Sequence, residues 1–358
     1  MKIIHLLHSL DRISFGIYNA AIFASRYLHS KHGVQSHAFI CSDQSIVVDL
    51  PAVNIVYLAQ NALDEKHIDG VLATNDLAPA DSVVVSHGCW LMPTRLGSVL
   101  AKRGFKWLYV PHGMLEPWSM QQRFIKKSIY FLLVEKRCAV RADAIRAVSR
   151  QEQVNLSRRF GRRVDLVENG VKTRAYPARP AGTVENFLFL GRLHHKKGIT
   201  PLVKAWKAVA GNHPGKRLII AGPDQGELSR INPYIGGNIE YVGPMYGDAK
   251  DELLNSSHYF VLPSFSEGFP VSVLEGMSFG LIPLISSGCN FDEVFENGLG
   301  FRMEPDESAI GNVLKKVINS SYDHNLSKKN WQYINDYYSE PVIGERLLTL
   351  YQNVLGNA

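Results

Sequence analysis

The chain has 358 residues, enough for two domains of ordinary size, each with its own core. With 46% hydrophobic and 20% charged residues it reads as a soluble globular protein, and it lacks the run of about 18 apolar residues that a membrane-spanning helix needs. The net charge of +6 is unevenly placed: Gln121 to Arg174 holds 14 Lys/Arg against 5 Asp/Glu, or +9, so the remainder sums to −3.

Cys41, Cys89, Cys138 and Cys289 are scattered, with no CxxC pair and no metal-ligand spacing, and read as reduced thiols of a cytosolic protein. The opening MKIIHLLHSLDR has only a short apolar run, broken by His5 and His8, and reads as a first strand at Lys2–His8 and not as a signal peptide. The loop SLDRISFG leads to a helical pattern from Ile17 to about His32, with Gly16 at its start, the form of a ligand-facing turn. No GxGxxG is present, so a dinucleotide fingerprint is not supported.

Short strand-like runs follow at His37–Cys41, Asn54–Leu58 and Ser82–Gly88, and a further strand at Lys106–Gly113. Strands alternating with helices predict a parallel sheet covered on both faces, whose ligands gather at the carboxyl ends of the strands. His87 and His112 both sit just past such ends. A structural role is expected for His87. His112, in the tight turn shaped by Pro111 and Gly113, is expected to act on a ligand. From Trp118 to Arg163 the chain looks helical and basic, with Arg123, Lys126 and Lys127 interleaved with Ile129, Phe131, Leu132 and Leu133. An amphipathic helix on an anionic membrane and a helix packed on its own domain with charges in water fit this pattern equally. Nothing calls for a nucleic acid. RADAIRAVSRQE gives a strand and a helix start, and the Pro- and Ala-rich Lys172–Asn186 marks the domain boundary.

The second half opens with strand, glycine turn, basic loop and helix in NFLFLGRLHHKKGITPLVKAW. Arg192, Lys196 and Lys197 cluster before a helix N-terminus, where cations and helix dipole would act together on phosphates. Strands RLIIAGP and IEYVG lead to PSFSEGFPVSVLEGMSFG, Pro263 to Gly280. There Glu267 is expected in a loop, Pro270 in the first turn of a helix and Glu275 on its second turn. The N–H groups of Gly268, Phe269 and Val271 would point at an anion. Carboxylates beside an anion site suit a ligand carrying both sugar hydroxyls and phosphates. The strand IPLIS and a helical end segment from about Leu326, rich in Tyr and Leu, complete the chain.

GRLHHKKG followed by the Glu267-x7-Glu275 pair, with VPHGMLEPW and ENGV before them, resembles the family 4 retaining glycosyltransferases of bacterial surface-polysaccharide biosynthesis, over essentially the whole chain. The resemblance implies an α/β GT-B fold of two Rossmann-like domains facing a central cleft. Residues 1–175 would form the acceptor domain, with 340–358 crossing back onto it, and residues 183–339 the nucleotide-sugar domain. It implies transfer of a hexosyl group from a nucleotide-diphosphate sugar to a glycan or lipid-linked saccharide, with retention. No cofactor beyond that donor substrate is implied. Arg192 and Lys197 would hold the diphosphate, Glu267 the sugar hydroxyls and Glu275 the ribose. Backbone from Gly268 through Phe269 and Pro270 to Val271 would reach sugar and phosphate oxygens. Gly243, Met245 and Tyr246 would border the base, Gly16 the phosphates, and His112 the sugar near the reacting carbon. Phe15 departs from the paired glycines often found in the first loop, and Lys196 competes with Lys197 for the phosphate role.

A departing diphosphate needs positioned cations more than an acid. With no D-x-D motif in the chain, the Arg192–Lys197 pair is expected to replace a metal. A glycosidase would place its two carboxyls on either side of the scissile bond, which two glutamates of one loop-helix unit do not suit. The competing readings are a GT-B nucleotide-sugar epimerase and a non-catalytic nucleotide-sugar-binding protein. The expected location is the cytoplasm, with contact at the inner face of the plasma membrane if the basic segment 121–163 binds lipid.

Overall fold

The computed structural model describes residues 1–10, 15–42, 52–58, 63–121, 124–177, 184–211 and 213–356. Arg123 and much of SLDRISFG, including the Phe15 side chain, lie outside these. The chain divides into two compact units, Met1–Gly170 with Glu340–Ala358, and Val171–Ser339.

In the first unit β1 (Lys2–Leu7) is followed by α1 (Phe15–Ile22), α2 (Ser25–His32), β2 (Gln35–Ile40), β3 (Val53–Tyr57) and α3 (Glu65–Thr74). The expected single helix from Ile17 is therefore two; Ser25, a residue type disfavoured inside helices, opens the second. Then come β4 (Ser82–His87), α4 (Met92–Lys102) and β5 (Lys106–Val110). The basic helical stretch is not one helix. It comprises α5 (Pro117–Gln121), α6 (Phe124–Tyr130), a π-helical turn (Phe131–Glu135) and α7 (Lys136–Ala139), then β6 (Ala144–Ala147), α8 (Arg150–Phe160) and β7 (Asp165–Leu166). The π turn keeps both Phe131 and Glu135 buried while Leu132 and Leu133 face out.

The seven strands are parallel in the order β3-β2-β1-β4-β5-β6-β7. Strands buried on both faces read as unbroken apolar runs, as Val83, Val84 and Val85 do. The last helix, α16 (Glu340–Leu355), belongs to this unit and buries Ile343, Leu347 and Tyr351. Its Glu345 accepts the Tyr27 hydroxyl at 2.6 Å and pairs with His32 at 2.7 Å.

The second unit runs β8 (Glu185–Leu190), α9 (Ile199–Ala210), β9 (Lys216–Ala221), α10 (Leu228–Ile231), β10 (Ile239–Gly243), α11 (Gly247–Asn255), β11 (Tyr259–Leu262) and α12 (Val271–Ser278). It ends with β12 (Ile282–Ile285), α13 (Glu293–Glu296), β13 (Phe301–Arg302), α14 (Glu307–Ile318) and α15 (His324–Tyr338). Its six strands are again parallel, in the order β10-β9-β8-β11-β12-β13. Trp206 of α9 is fully buried with its ring 4.9 Å from Phe187 of β8. Asp306 and Asp323 cap α14 and α15 through the N–H groups of Ala309 and Leu326, satisfying donors that a helix start leaves open. The helical end segment breaks at Ser339 because Pro341 could not continue α15, whereas it fits the first turn of α16.

Both sheets change winding direction once, between β1 and β4 and between β8 and β11. Loops leaving the carboxyl ends of those strands part there and leave a crevice, the place where open α/β sheets take ligands.

Candidate active site

In the second unit the switch point is flanked by the loop after β8, carrying Arg192 to Lys197, and the loop after β11, carrying Pro263 to Glu267. The two are laced together. The Lys196 carbonyl accepts the Phe265 N–H at 2.8 Å, and the Ser264 hydroxyl lies 2.9 Å from the same oxygen. Gly198, at φ 67°, closes the short 3-10 turn His195–Lys197, and any side chain there would collide with the Pro263 carbonyl. The approach brings Lys197 Nζ to 2.7 and 2.8 Å from the two oxygens of Glu267.

Glu267 is buried, with Ser264 Oγ 2.5 Å from its Oε1, its N–H on the Gly288 carbonyl and its own carbonyl taking Asn290 Nδ2 at 2.6 Å. Burial by itself would raise its pKa. The charges of Lys197 and Lys196, with the hydrogen bonds from Lys197 and Ser264, outweigh that and hold the carboxyl below its ordinary value. An ammonium has three donors, so Lys197 keeps one after gripping Glu267, and Glu267 keeps acceptor capacity at Oε2. Because Lys197 is neutralised by its partner, the unbalanced positive charge of this loop rests more on Arg192. Arg192 is exposed, held by Nη1 to Gln225 Oε1 at 3.1 Å.

Glu275 has a different cation. Its Oε1 lies 2.8 Å from Lys250 Nζ, and Lys250 is on α11, directly after the turn Gly243–Tyr246. The turn begins at Gly243, φ 75°, and Tyr246 is the exposed residue preceding α11, with Met245 half-buried beside it. The two glutamates are thus separated in function by their partners: Glu267 sits with the Arg192–Lys197 loop, and Glu275 with the helix that follows the Gly243 turn.

The start of α12 differs from expectation. Pro270 lies just before the helix, at φ −87° and ψ 77°, and the Val271 N–H donates to the Phe269 carbonyl at 3.0 Å. This is an inverse γ-turn, which a proline ring favours, and it takes up the Val271 N–H expected to serve an anion. Among the described residues no acceptor engages the N–H groups of Gly268 and Phe269, so those two remain for a ligand. The Phe269 ring is an anchor, 6.0 Å from Tyr338 and 5.4 Å from Phe291.

Gly16 and His112 belong to the first unit. Gly16 is exposed in the first turn of α1, with open space where a Cβ would be. His112 follows β5 in a left-handed backbone conformation, φ 54°, unusual for a side-chain-bearing residue. Its Nε2 lies 3.0 Å from His87 Nδ1, and His87 Nε2 lies 3.0 Å from His5 Nδ1. His87, expected to be structural, therefore contacts the histidine expected to be functional. The turn is fastened by Glu152, fully buried, which takes the Gly113 N–H at 2.5 Å and the Val148 N–H at 2.8 Å. Burial pushes the Glu152 carboxyl up to about 7 against these hydrogen bonds.

Compared with known proteins, residues 178–333 match the family described as glycosyl transferases group 1. The match lies wholly within the second unit, Val171–Ser339. The chain is 27% identical over 205 residues to the GDP-mannose:cellobiosyl-diphosphopolyprenol alpha-mannosyltransferase of Xanthomonas oryzae pv. oryzae, covering 54% of each protein. It is 23% identical over 201 residues to the phosphatidylinositol N-acetylglucosaminyltransferase gpi3 subunit of Schizosaccharomyces pombe, covering 54% of this chain and 44% of the relative. The chain thus spans about half the length of these relatives. Over the whole chain the fold is that of Anabaena HepE, solved in complex with UDP and glucose, at a TM-score of 0.77 and 15% identity, covering 99% and 100% of the two chains. The glycosyltransferase fold is GT-B, as expected.

Sequence reasoning missed His5, Ser264, Lys250 and Glu152. Only Glu152 left a local signal: Ser149 three residues before it makes S-x-x-E, the pattern of a helix start in which both side chains serve backbone donors. His5 and Lys250 are brought to their partners by elements distant in sequence, and Ser264 meets Glu267 only through the fold of their shared loop.

Proposed function

We propose that this chain is a retaining glycosyltransferase that moves a hexosyl group from a nucleotide-diphosphate sugar to a glycan or lipid-linked saccharide in polysaccharide biosynthesis. The observation that carries the reading is the laced pair of loops at the second unit's switch point, with Lys197 and Glu267 paired beside the free N–H groups before α12 and Arg192 on the same loop as Lys197. Arg192 and the remaining Lys197 donor take the diphosphate and stabilise charge as it departs; fixed cations and N–H groups are effective there because they need no reorganisation. The Glu267 carboxylate, kept ionised by Lys197, accepts sugar hydroxyls. Glu275 takes the ribose beside the Gly243–Tyr246 turn, which borders the base. Gly16 is assigned to phosphate and His112 to sugar. Turnover proceeds without a metal, with Arg192 supplying most of the positive charge and Lys197 its remaining N–H donor.

The acceptor reading draws on the polyprenol-linked and phosphatidylinositol-linked substrates in the names of two relatives. It is supported by an apolar face on the first unit. Phe124 (61% exposed), Ile125 (72%), Ile129, Leu132 (59%) and Leu133 stand in water among Lys126, Lys136 and Arg137. Exposed apolar side chains interleaved in sequence with cations suit the interface of an anionic bilayer. No helix among the described residues is long and apolar enough to cross a membrane. A thermal-shift panel of UDP-, GDP- and ADP-sugars tests the donor, since a ligand of the folded state raises Tm by mass action. NMR of the product anomer with the best donor, after dialysis against chelator, then tests transfer. Stabilisation by no nucleotide sugar, an inverted anomer, or release of a free epimer without acceptor would each overturn the assignment.

A further inference from the structure

Three imidazoles from three places in the sequence form a continuous chain in the first unit. His5 lies within β1, His87 ends β4 and His112 follows β5, with Nδ1 of His5 3.0 Å from Nε2 of His87 and Nδ1 of His87 3.0 Å from Nε2 of His112. The rings are 5.3 Å apart at both steps and tilted by 33° and 27°. His5 and His87 are buried and His112 is half-buried.

Each nitrogen-to-nitrogen contact between neutral imidazoles holds one proton, because it needs one N–H and one lone pair. Three neutral rings in a row therefore satisfy both contacts in only two ways, with every N–H pointing from His5 towards His112 or every one pointing back. Any mixed arrangement sets two N–H groups or two lone pairs face to face, which is costly where water is excluded. We propose that His5 and His87 are positioning residues that lock His112 through this head-to-tail chain, so that His112 presents its Nδ1 to the sugar in one protonation form. The inference rests on the assignment of His112 to the sugar in the proposed function.

The surroundings keep the chain neutral. Burial lowers the pKa of His5 and of His112 to about 3 and that of His87 well below its ordinary value. The guanidinium of Arg146 on β6 adds to this at all three rings, His37 on β2 adds to it at His5, and the histidines reinforce it at His87. Arg146 is itself fixed by the Val167 and Glu168 carbonyls, at 2.7 and 3.1 Å, and by Asn169 Oδ1 at 3.2 Å. Glu152, the other ionisable group against the turn, spends its oxygens on the N–H groups of Gly113 and Val148.

The test is long-range 1H–15N NMR of the full chain with 15N-labelled histidine, from pH 5.5 to 8.5, on wild type, His5→Phe and His87→Phe. In wild type the three rings should be neutral throughout, each a single tautomer, and all of one sense. His5→Phe, which leaves His87 and His112 in place, should change the tautomer or the titration of His112 and move the acid limb of the kcat/KM profile. His87→Phe should do so more strongly. A wild-type His112 that titrates near 6.5, or a folded His5→Phe variant with an unchanged His112 signature, would overturn the coupling. If neither variant folds, opposed senses or mixed tautomers in wild type would still overturn it. Failure of the sugar assignment looks different: His112 would respond to His5→Phe but not to a nucleotide sugar.

Discussion

Arg192 and Lys197 are both cations of one loop, yet their burial separates what their removal does. Arg192 is exposed, and its replacement by alanine should leave Tm nearly unchanged while lowering kcat/KM by about 2–4 kcal/mol of transition-state stabilisation. Lys197→Ala should lose comparable activity and also about 3 kcal/mol of stability, because it leaves Glu267 buried without its counter-ion. Steady-state kinetics with calorimetry on the two variants checks the contrast; equal Tm values would argue against it. Two buried glutamates should also differ in pH dependence. The pKa of Glu267 is depressed in the folded state, so its contribution is present above the ordinary carboxylate range and lost as pH falls through the folded value. That of Glu152 is raised from 4.5 to about 7, so its contribution is present below 4.5 and lost as pH rises through about 7. Urea titrations across this range should show Glu267→Gln most destabilising near neutrality and Glu152→Gln most destabilising in acid.

At the scale of elements, the face made by α6, the π turn and α7 stands out because burial and exposure alternate across so short a stretch. Glu135 anchors it from inside, taking the Trp90 N–H at 3.1 Å and the hydroxyls of Thr94 and Tyr109, each at 2.7 Å. Its apolar residues are therefore held outward by a fixed frame. Leu132→Glu combined with Ile125→Glu should abolish flotation with vesicles of anionic lipid while leaving stability within about 1 kcal/mol of wild type, since both side chains are already in water. Wild-type binding should weaken with salt as the basic residues are screened. Flotation undiminished in the double variant would remove this face from the interaction.

At the scale of the molecule, the final helix α16 is far in sequence from the unit to which it belongs. Gly344 is packed so closely on Tyr27 that a side chain there would strike the ring, and Ile343, Leu347 and Tyr351 lie inside the first unit. Truncation after Ser339 should therefore unfold the first unit and spare the second. Calorimetry of the truncated chain should lose one transition and keep the one that a nucleotide sugar shifts; loss of both would show that the units do not fold separately.

Much of this was readable along the chain. Apolar runs such as FLFL and YFVL, interleaved with helical periods, specify parallel strands because only strands covered on both faces are apolar throughout. Arg192, Lys197, Glu267 and Glu275 were legible because their spacing in two short loop-helix signatures is local. What the residues could not announce was which groups meet. The Lys197–Glu267 pair and the chain His5–His87–His112 arise where strands adjacent in the sheet are distant in sequence, the Lys250–Glu275 pair joins two helices, and the Val271 N–H is taken by a local turn at Pro270. Side-chain type and period are written residue by residue, and they determined the fold class and the loops that carry Arg192, Lys197 and Glu267. Burial and hydrogen-bond partnership exist only once the sheet has closed, and the tertiary structure alone decided which charges are neutralised, which N–H groups stay open and which histidines share a proton.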